Sequence, residues 1–121
     1  MDKCTCGIEI INHPASRCLD LLVIEKVLMW KFIYSENFFN KGELDYFVDE
    51  KGDSRILGFS PSSDISAAME VFEKSNLLAI EKTEQGYSCA DSYDEQGYIF
   101  IYHSPTLPIA ICQAALLKVK G

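Results

Sequence analysis

A chain of 121 residues with a 48% hydrophobic share and a net charge of −7 has the size and composition of one domain that can bury a core without staples. The acidic balance argues against nucleic acid as a partner, because phosphate is gripped by clustered Lys and Arg, and here only Lys26 with Lys31, Lys51 with Arg55, and Lys118 with Lys120 come near one another. No apolar run reaches the roughly 18–20 residues of a membrane span, and the start M-D-K-C-T-C-G lacks the design of a secretory signal, so a cytoplasmic protein with no membrane partner is expected. The cysteines are Cys4, Cys6, Cys18, Cys89 and Cys112, an odd number that reads as free thiols in a reducing compartment.

Residues 1–13 show no periodicity beyond a short apolar patch at Ile8, Ile10 and Ile11, and read as a tail or a short edge strand before a single domain at 14–121. From Ser16, a side-chain cap, the apolar residues Leu19, Leu22, Val23, Val27 and Trp30 fall on one helical face, widened by Leu21, Ile24 and Leu28. Strand-like runs follow at 31–34, 44–48 and 54–59. The first two are separated by the loop S-E-N-F-F-N-K-G-E, and the last two by D-E-K-G-D, where Gly52 suits a hairpin turn.

The stretch F-S-P-S-S-D-I-S-A-A-M-E-V-F-E-K-S-N at 59–76 reads most clearly. Serines and Asp64 offer caps, Pro61 suits a first turn, and Ile65, Ala68, Met69 and Phe72 form an apolar stripe. Three more strand-like runs, 77–83, 87–91 and 98–103, are separated by E-Q-G and D-E-Q-G turns. The last run has no polar alternation, which predicts a strand covered on both faces. Thr106 and Pro108 then open a closing helix in which only Gln113 is polar between 107 and 117, so that helix is expected to be buried nearly all round. The fold class is therefore α+β, in the order helix, strands, helix, strands, helix. The connections are too short for most strands to run parallel, which predicts one mainly antiparallel sheet packed between helices, an α-β-α sandwich.

With the helices placed, three segments resemble the phage ABA sandwich domain, a family of small phage and prophage proteins. V-L-M-W at 27–30 is similar to the end of the family's first helix, with Met29 where the resemblance leads one to expect glycine. F-S-P-S-S-D-I-S-A-A-M-E-V at 59–71 is the closest segment, with Met69 in place of a more usual tryptophan, and P-I-A-I-C-Q-A-A-L at 108–116 resembles the final helix. The resemblance spans about 16–119 and leaves the cysteine-bearing start uncovered. It implies the layered fold and a phage or prophage setting; the family has no known biochemical role, so it transfers no catalytic residue.

Few residues group into candidate chemistry. Cys4, Cys6, His13 and Cys18 are zinc-ligand types, but C-x-C is unlike the C-x₂₋₄-C spacing of structural sites and Cys18 reads as helix core, so no metal and no cofactor is assigned. Cys89 with His103 is the one thiol and imidazole pairing open to nucleophilic catalysis, and no signature places them together. Carboxylates at Asp45, Asp49, Glu50, Asp53, Glu84, Asp91, Asp94 and Glu95 gather in turns, without the order of a calcium loop. They read as solvated hairpin tips or, alternatively, as an acidic face mimicking DNA. Phe38, Phe39 and Tyr93 fall in predicted loops, where exposed aromatics are candidates for partner contact.

The expected function is thus a non-enzymatic phage or prophage accessory protein that binds a host protein or a small molecule, with counter-defence as a setting. The alternatives are a small thiol- or hydroxyl-dependent enzyme using Cys89 and His103, and a DNA-mimicking inhibitor. A homodimer is also expected, through an edge strand at Lys31–Tyr34 that carries little protective charge.

Overall fold

Ser16 opens the first helix: its hydroxyl accepts a hydrogen bond from the Leu19 amide at 3.2 Å. The computed structural model describes residues 6–10, 13–39, 41–100 and 104–120. Helix α1, Arg17–Val23, runs directly into a π-helical turn, Ile24–Leu28. That turn ends on Met29 in the left-handed conformation, φ 58°. Strands β1 (Lys31–Tyr34), β2 (Leu44–Val48) and β3 (Ser54–Arg55) come next, followed by helix α2 (Ile65–Lys74). Strands β4 (Ala79–Thr83), β5 (Gly86–Asp94) and β6 (Gly97–Phe100) lead to helix α3 (Leu107–Lys120). The fold is α+β with the predicted order of elements, and every strand pairing is antiparallel.

Among the described residues the strands form two sheets of three, ordered β1-β2-β3 and β4-β5-β6, rather than the one sheet expected. Each sheet is built of local hairpins. Strand β3 holds only two residues before the chain turns away through Ile56 to Phe59, so it offers no ladder long enough to join the second sheet. The Arg17 guanidinium fixes that departure by donating to the carbonyls of Phe59, at 2.8 Å, and of Leu57.

Helix α3 occupies the middle of the molecule and is contacted by α1, the π-turn, α2 and β5. Every residue of 109–116 is buried, as the apolar sequence predicts. Gln113 is no exception, since its side-chain oxygen accepts from the Ser104 hydroxyl and so stays satisfied in the core. Thr106 caps the helix, accepting from the Ile109 amide at 3.4 Å. The first sheet joins the core through Phe47, which is fully buried and meets Phe32 edge-on at 5.2 Å and Trp30 at 6.3 Å between ring centroids.

Two local expectations are corrected. Helix α2 begins at Ile65, capped by Asp64, and buries Ala67, Ala68 and Val71, while Ile65 is 45% exposed. Of the expected stripe, Ala68 is buried and Met69 and Phe72 pack against the core, and only Ile65, the first helical residue, stays in solvent; ahead of it Ser62 is held by α1, its amide donating to Asp20 Oδ1 at 2.8 Å and its hydroxyl oxygen accepting from the Ser16 amide at 3.1 Å. Over its described residues strand β6 is not covered on both faces, since Tyr98 and Ile99 are 55% and 44% exposed; the rest of the predicted run, 101–103, lies outside the described residues. A register shift between Ala90 and Ser92 separates the buried half of β5 from an exposed end, and β6 pairs with that end. Among the described residues no helix is long and apolar enough to cross a membrane.

Candidate functional site

The three aromatics singled out in the sequence are all solvent-facing. Phe38 and Phe39, 89% and 92% exposed, lie in the turn between β1 and β2 and stack edge-to-face at 5.4 Å. That turn is shaped by side chains acting as backbone acceptors: Ser35 Oγ takes the Asn37 amide and Asn37 Oδ1 takes the Phe39 amide, both at 3.1 Å. Tyr93 is 72% exposed, but it stands on β5 rather than in a loop, directly opposite Tyr98 in the register with β6. Their rings meet at 6.4 Å, and both line a cleft of about 260 Å³ with Leu78 and Gly97. Among the described residues no ring contact joins this pair to Phe38 and Phe39. Sequence reasoning missed Tyr98 because an unbroken apolar run signals a covered strand, whereas the shift in β5 carries this end away from the core.

Cys89 is 1% exposed and faces the core. Burial pushes its thiol pKa up to about 11, so the thiolate that nucleophilic chemistry requires is disfavoured. Cys112 is raised as well, by burial first and then by the charges of Asp20 and Cys89. His103, its suggested partner, lies outside the described residues, as does Cys4.

Asp49 and Glu50, between β2 and β3, are engaged rather than free. Asp49 accepts from the amides of Lys51 and Asp53 at 2.9 and 3.0 Å and lies 3.3 Å from Arg55. Desolvation opposes its ionisation, yet those amides and the guanidinium outweigh it and hold its pKa below the ordinary value. Glu50 accepts from Trp30 Nε1 at 3.0 Å and from Lys74. Arg55 spans the group: it donates twice to Glu70 and lies 4.4 Å over the Trp30 ring. A cleft of about 400 Å³ beside it is lined by Arg55, Phe59, Asp64, Ser66 and Glu70 among others. These pairings remove Asp49 and Glu50 from any freely presented acidic face. Asp94 and Glu95 at the β5–β6 turn remain exposed.

At the start of the chain the structure brings together residues that spacing had kept apart. Ile10 is fully buried and His13 is 2% exposed, so the stretch read as a tail or edge strand contributes to the core. Cys6 Sγ lies 3.2 Å from His13 Nε2, and with Cys18 Sγ the ligand-type atoms all fall within 4.8 Å of one another. Cys18 is half-buried in the first turn of α1 and not sealed in the core.

Comparison with known families matches residues 21–116, from the middle of α1 to the middle of α3, to the phage ABA sandwich domain. The chain belongs to the phage ABA sandwich domain family. No curated protein and no solved structure matches it. Of the candidate positions, Tyr93 and Tyr98, Phe38 and Phe39, Cys89 and the Arg55 group fall inside the family domain, whereas Cys6, His13 and Cys18 precede it.

Proposed function

We propose that this phage ABA sandwich protein acts by binding a protein partner, in a phage or prophage setting, through the aromatic end of its second sheet. The observation that carries the reading is the opposed pair Tyr93 and Tyr98, 72% and 55% exposed, beside Leu78 at 43%. Tyrosine combines a large apolar face with a polar tip and loses little conformational entropy on docking, which makes such pairs interface anchors. Asp94 and Glu95 flank them, so the partner carries Lys or Arg around an apolar centre. The seclusion of Cys89 favours this reading over thiol catalysis.

The test is capture from a bacterial host lysate with tagged wild type and with the double variant Tyr93→Ala, Tyr98→Ala. Both side chains are exposed, so the variant keeps its circular dichroism spectrum and its unfolding midpoint. A protein retained by wild type and lost from the variant supports the reading. Equal recovery by both, or no recovery above background by wild type, overturns it.

A second copy of the chain as partner rests on a separate observation. Strand β1 ends its sheet, and among the described residues nothing pairs with its outer edge, on which Tyr34 is 54% exposed. Phe32 packs against the core and meets Phe47, so its replacement would disturb folding; Tyr34→Lys is the cleaner probe of this edge. Light scattering at micromolar concentration that gives the mass of one chain, or a dimer that survives Tyr34→Lys, removes the edge-strand dimer.

A further inference from the structure

The start of the chain carries an arrangement with a chemistry of its own. Cys6 comes from the turn before Ile8, His13 from the residue ahead of Pro14, and Cys18 from the first turn of α1. Three pieces of backbone thus converge on one point, where two sulfur atoms and one ring nitrogen lie within 4.8 Å of one another.

His13 decides how the group reads. Its Nδ1 lies 2.9 Å from the Pro14 carbonyl oxygen, which can only accept, so Nδ1 carries the proton. In the neutral ring, the form that binds a metal, Nε2 then keeps its lone pair, and Nε2 is the atom 3.2 Å from Cys6 Sγ. A ring nitrogen fixed by a backbone carbonyl, with the opposite nitrogen presented to soft donors, is the outer-shell arrangement that orients a metal-binding histidine. The imidazole is 2% exposed, and its backbone amide is tied to the Ile10 carbonyl at 3.1 Å, with Ile10 itself buried. The ring is therefore positioned before any ion arrives.

We propose that Cys6, His13 and Cys18 bind one zinc ion, which fastens the segment preceding the family domain to the start of α1. Two thiolates and an imidazole select a borderline-soft ion over magnesium or calcium, which take oxygen ligands. With Zn–S near 2.3 Å and Zn–N near 2.0–2.1 Å, tetrahedral geometry sets the donors about 3.5–3.8 Å apart. Cys6 Sγ and His13 Nε2 lie 3.2 Å apart and no pair of the three atoms is separated by more than 4.8 Å, so small side-chain rotations bring the donors to those spacings. The fourth position is taken by water or by a further donor. The sequence pattern concealed the site because structural zinc pairs are recognised by a C-x₂₋₄-C turn, whereas these ligands are gathered by the docking of Ile10 and the onset of α1. Since all three residues precede the stretch matched by the family, the ion is an addition to the family's domain and not a part of its core.

The experiment uses the full chain, purified under reducing conditions without chelator. Elemental analysis should find about one zinc per chain, and Cys6→Ser, at an exposed position that leaves the core intact, should lower this to under about 0.1 while the protein stays folded. Cobalt(II) added to zinc-depleted wild type should give the strong visible bands of a tetrahedral ion together with thiolate charge-transfer absorption, weakened in Cys6→Ser. A chelator should lower the thermal midpoint of wild type and leave that of Cys6→Ser unchanged. Wild type with no zinc and no cobalt bands overturns the proposal, as does equal zinc in wild type and Cys6→Ser, or a Cys6–Cys18 disulfide found by mass spectrometry in the freshly reduced and purified protein.

Discussion

Arg55 donates to Glu70 through two nitrogens, at 2.8 and 2.6 Å, while its guanidinium carbon lies 4.4 Å from the centre of the Trp30 ring. One side chain thus joins β3, α2 and the end of the first helical segment. Both partners of the ion pair keep about a quarter of their side-chain surface exposed, so screening reduces the Coulombic part, while the paired hydrogen bonds and the stacking persist. Lysine cannot reproduce the planar fork. Arg55→Lys should therefore cost about 1–2 kcal/mol in denaturant unfolding, with the charge unchanged.

A second link ties the serine segment to α1. The Asp20 side chain is nearly inaccessible, accepts the Ser62 amide at 2.8 Å and lies 3.6 Å from Arg17. Asp20→Ala strands a buried amide and removes the counter-charge, which should cost about 2–4 kcal/mol. Asp20→Asn keeps an acceptor oxygen and should lose about half of that. Urea midpoints of the two variants check the order; equal losses would mean that the Ser62 bond is not the source.

What the sequence made legible follows from which interactions are local. Helix α3 was readable because Gln113 alone interrupts its apolar stretch, and the turns were readable because Gly52, Gly86 and Gly97 sit at φ between 85° and 128°. Gly86 is also needed for space, since a Cβ there would lie 2.1 Å from the Ser104 carbonyl oxygen, a contact across the chain that no turn pattern reveals. The split into two sheets depended on how soon β3 ends, and that is set by Arg17 holding the carbonyls of Leu57 and Phe59 from another helix. The convergence of Cys6, His13 and Cys18 likewise depends on Ile10 reaching the core. The exposure of Phe38, Phe39 and Tyr93 was legible because bulky rings in polar surroundings stand out; that of Tyr98 was not, because its neighbours are apolar.

Met29 offers a stabilising change. It ends the π-turn at φ 58° with its side chain 77% exposed, so it carries the strain of a left-handed residue and contributes little packing. Glycine at this position would carry no such strain. Met29→Gly relieves about 1–2 kcal/mol of strain against a somewhat smaller gain in unfolded-state entropy, and the net expectation is roughly 0.5–1 kcal/mol of added stability. Thermal and denaturant midpoints should both rise. A fall would show that the Met29 side chain packs in solution.

The buried thiols predict how stability responds to alkali. Burial raises Cys89 from an ordinary 9.0 to about 11, and Cys112 moves in the same direction, so the folded protein keeps protons that the unfolded chain releases. A pKa raised on folding contributes stability that is whole below the unfolded value and is lost as pH climbs through the folded one. The urea midpoint should therefore change little between about pH 7 and 8.5 on account of these groups and fall between about pH 9 and 11. Tyrosine and lysine also titrate in that range, so the measurement compares slopes: the decline with pH should be shallower in Cys89→Ala than in wild type, whatever the variant's starting stability. A thiol reagent at mildly alkaline pH supplies the kinetic counterpart. Cys6, exposed and free of any bound ion after chelation, should react at once, whereas Cys89 and Cys112 should react only as fast as the protein opens. Parallel slopes in the two proteins, or immediate labelling of Cys89, would place that thiol within reach of water and restore it as a candidate nucleophile.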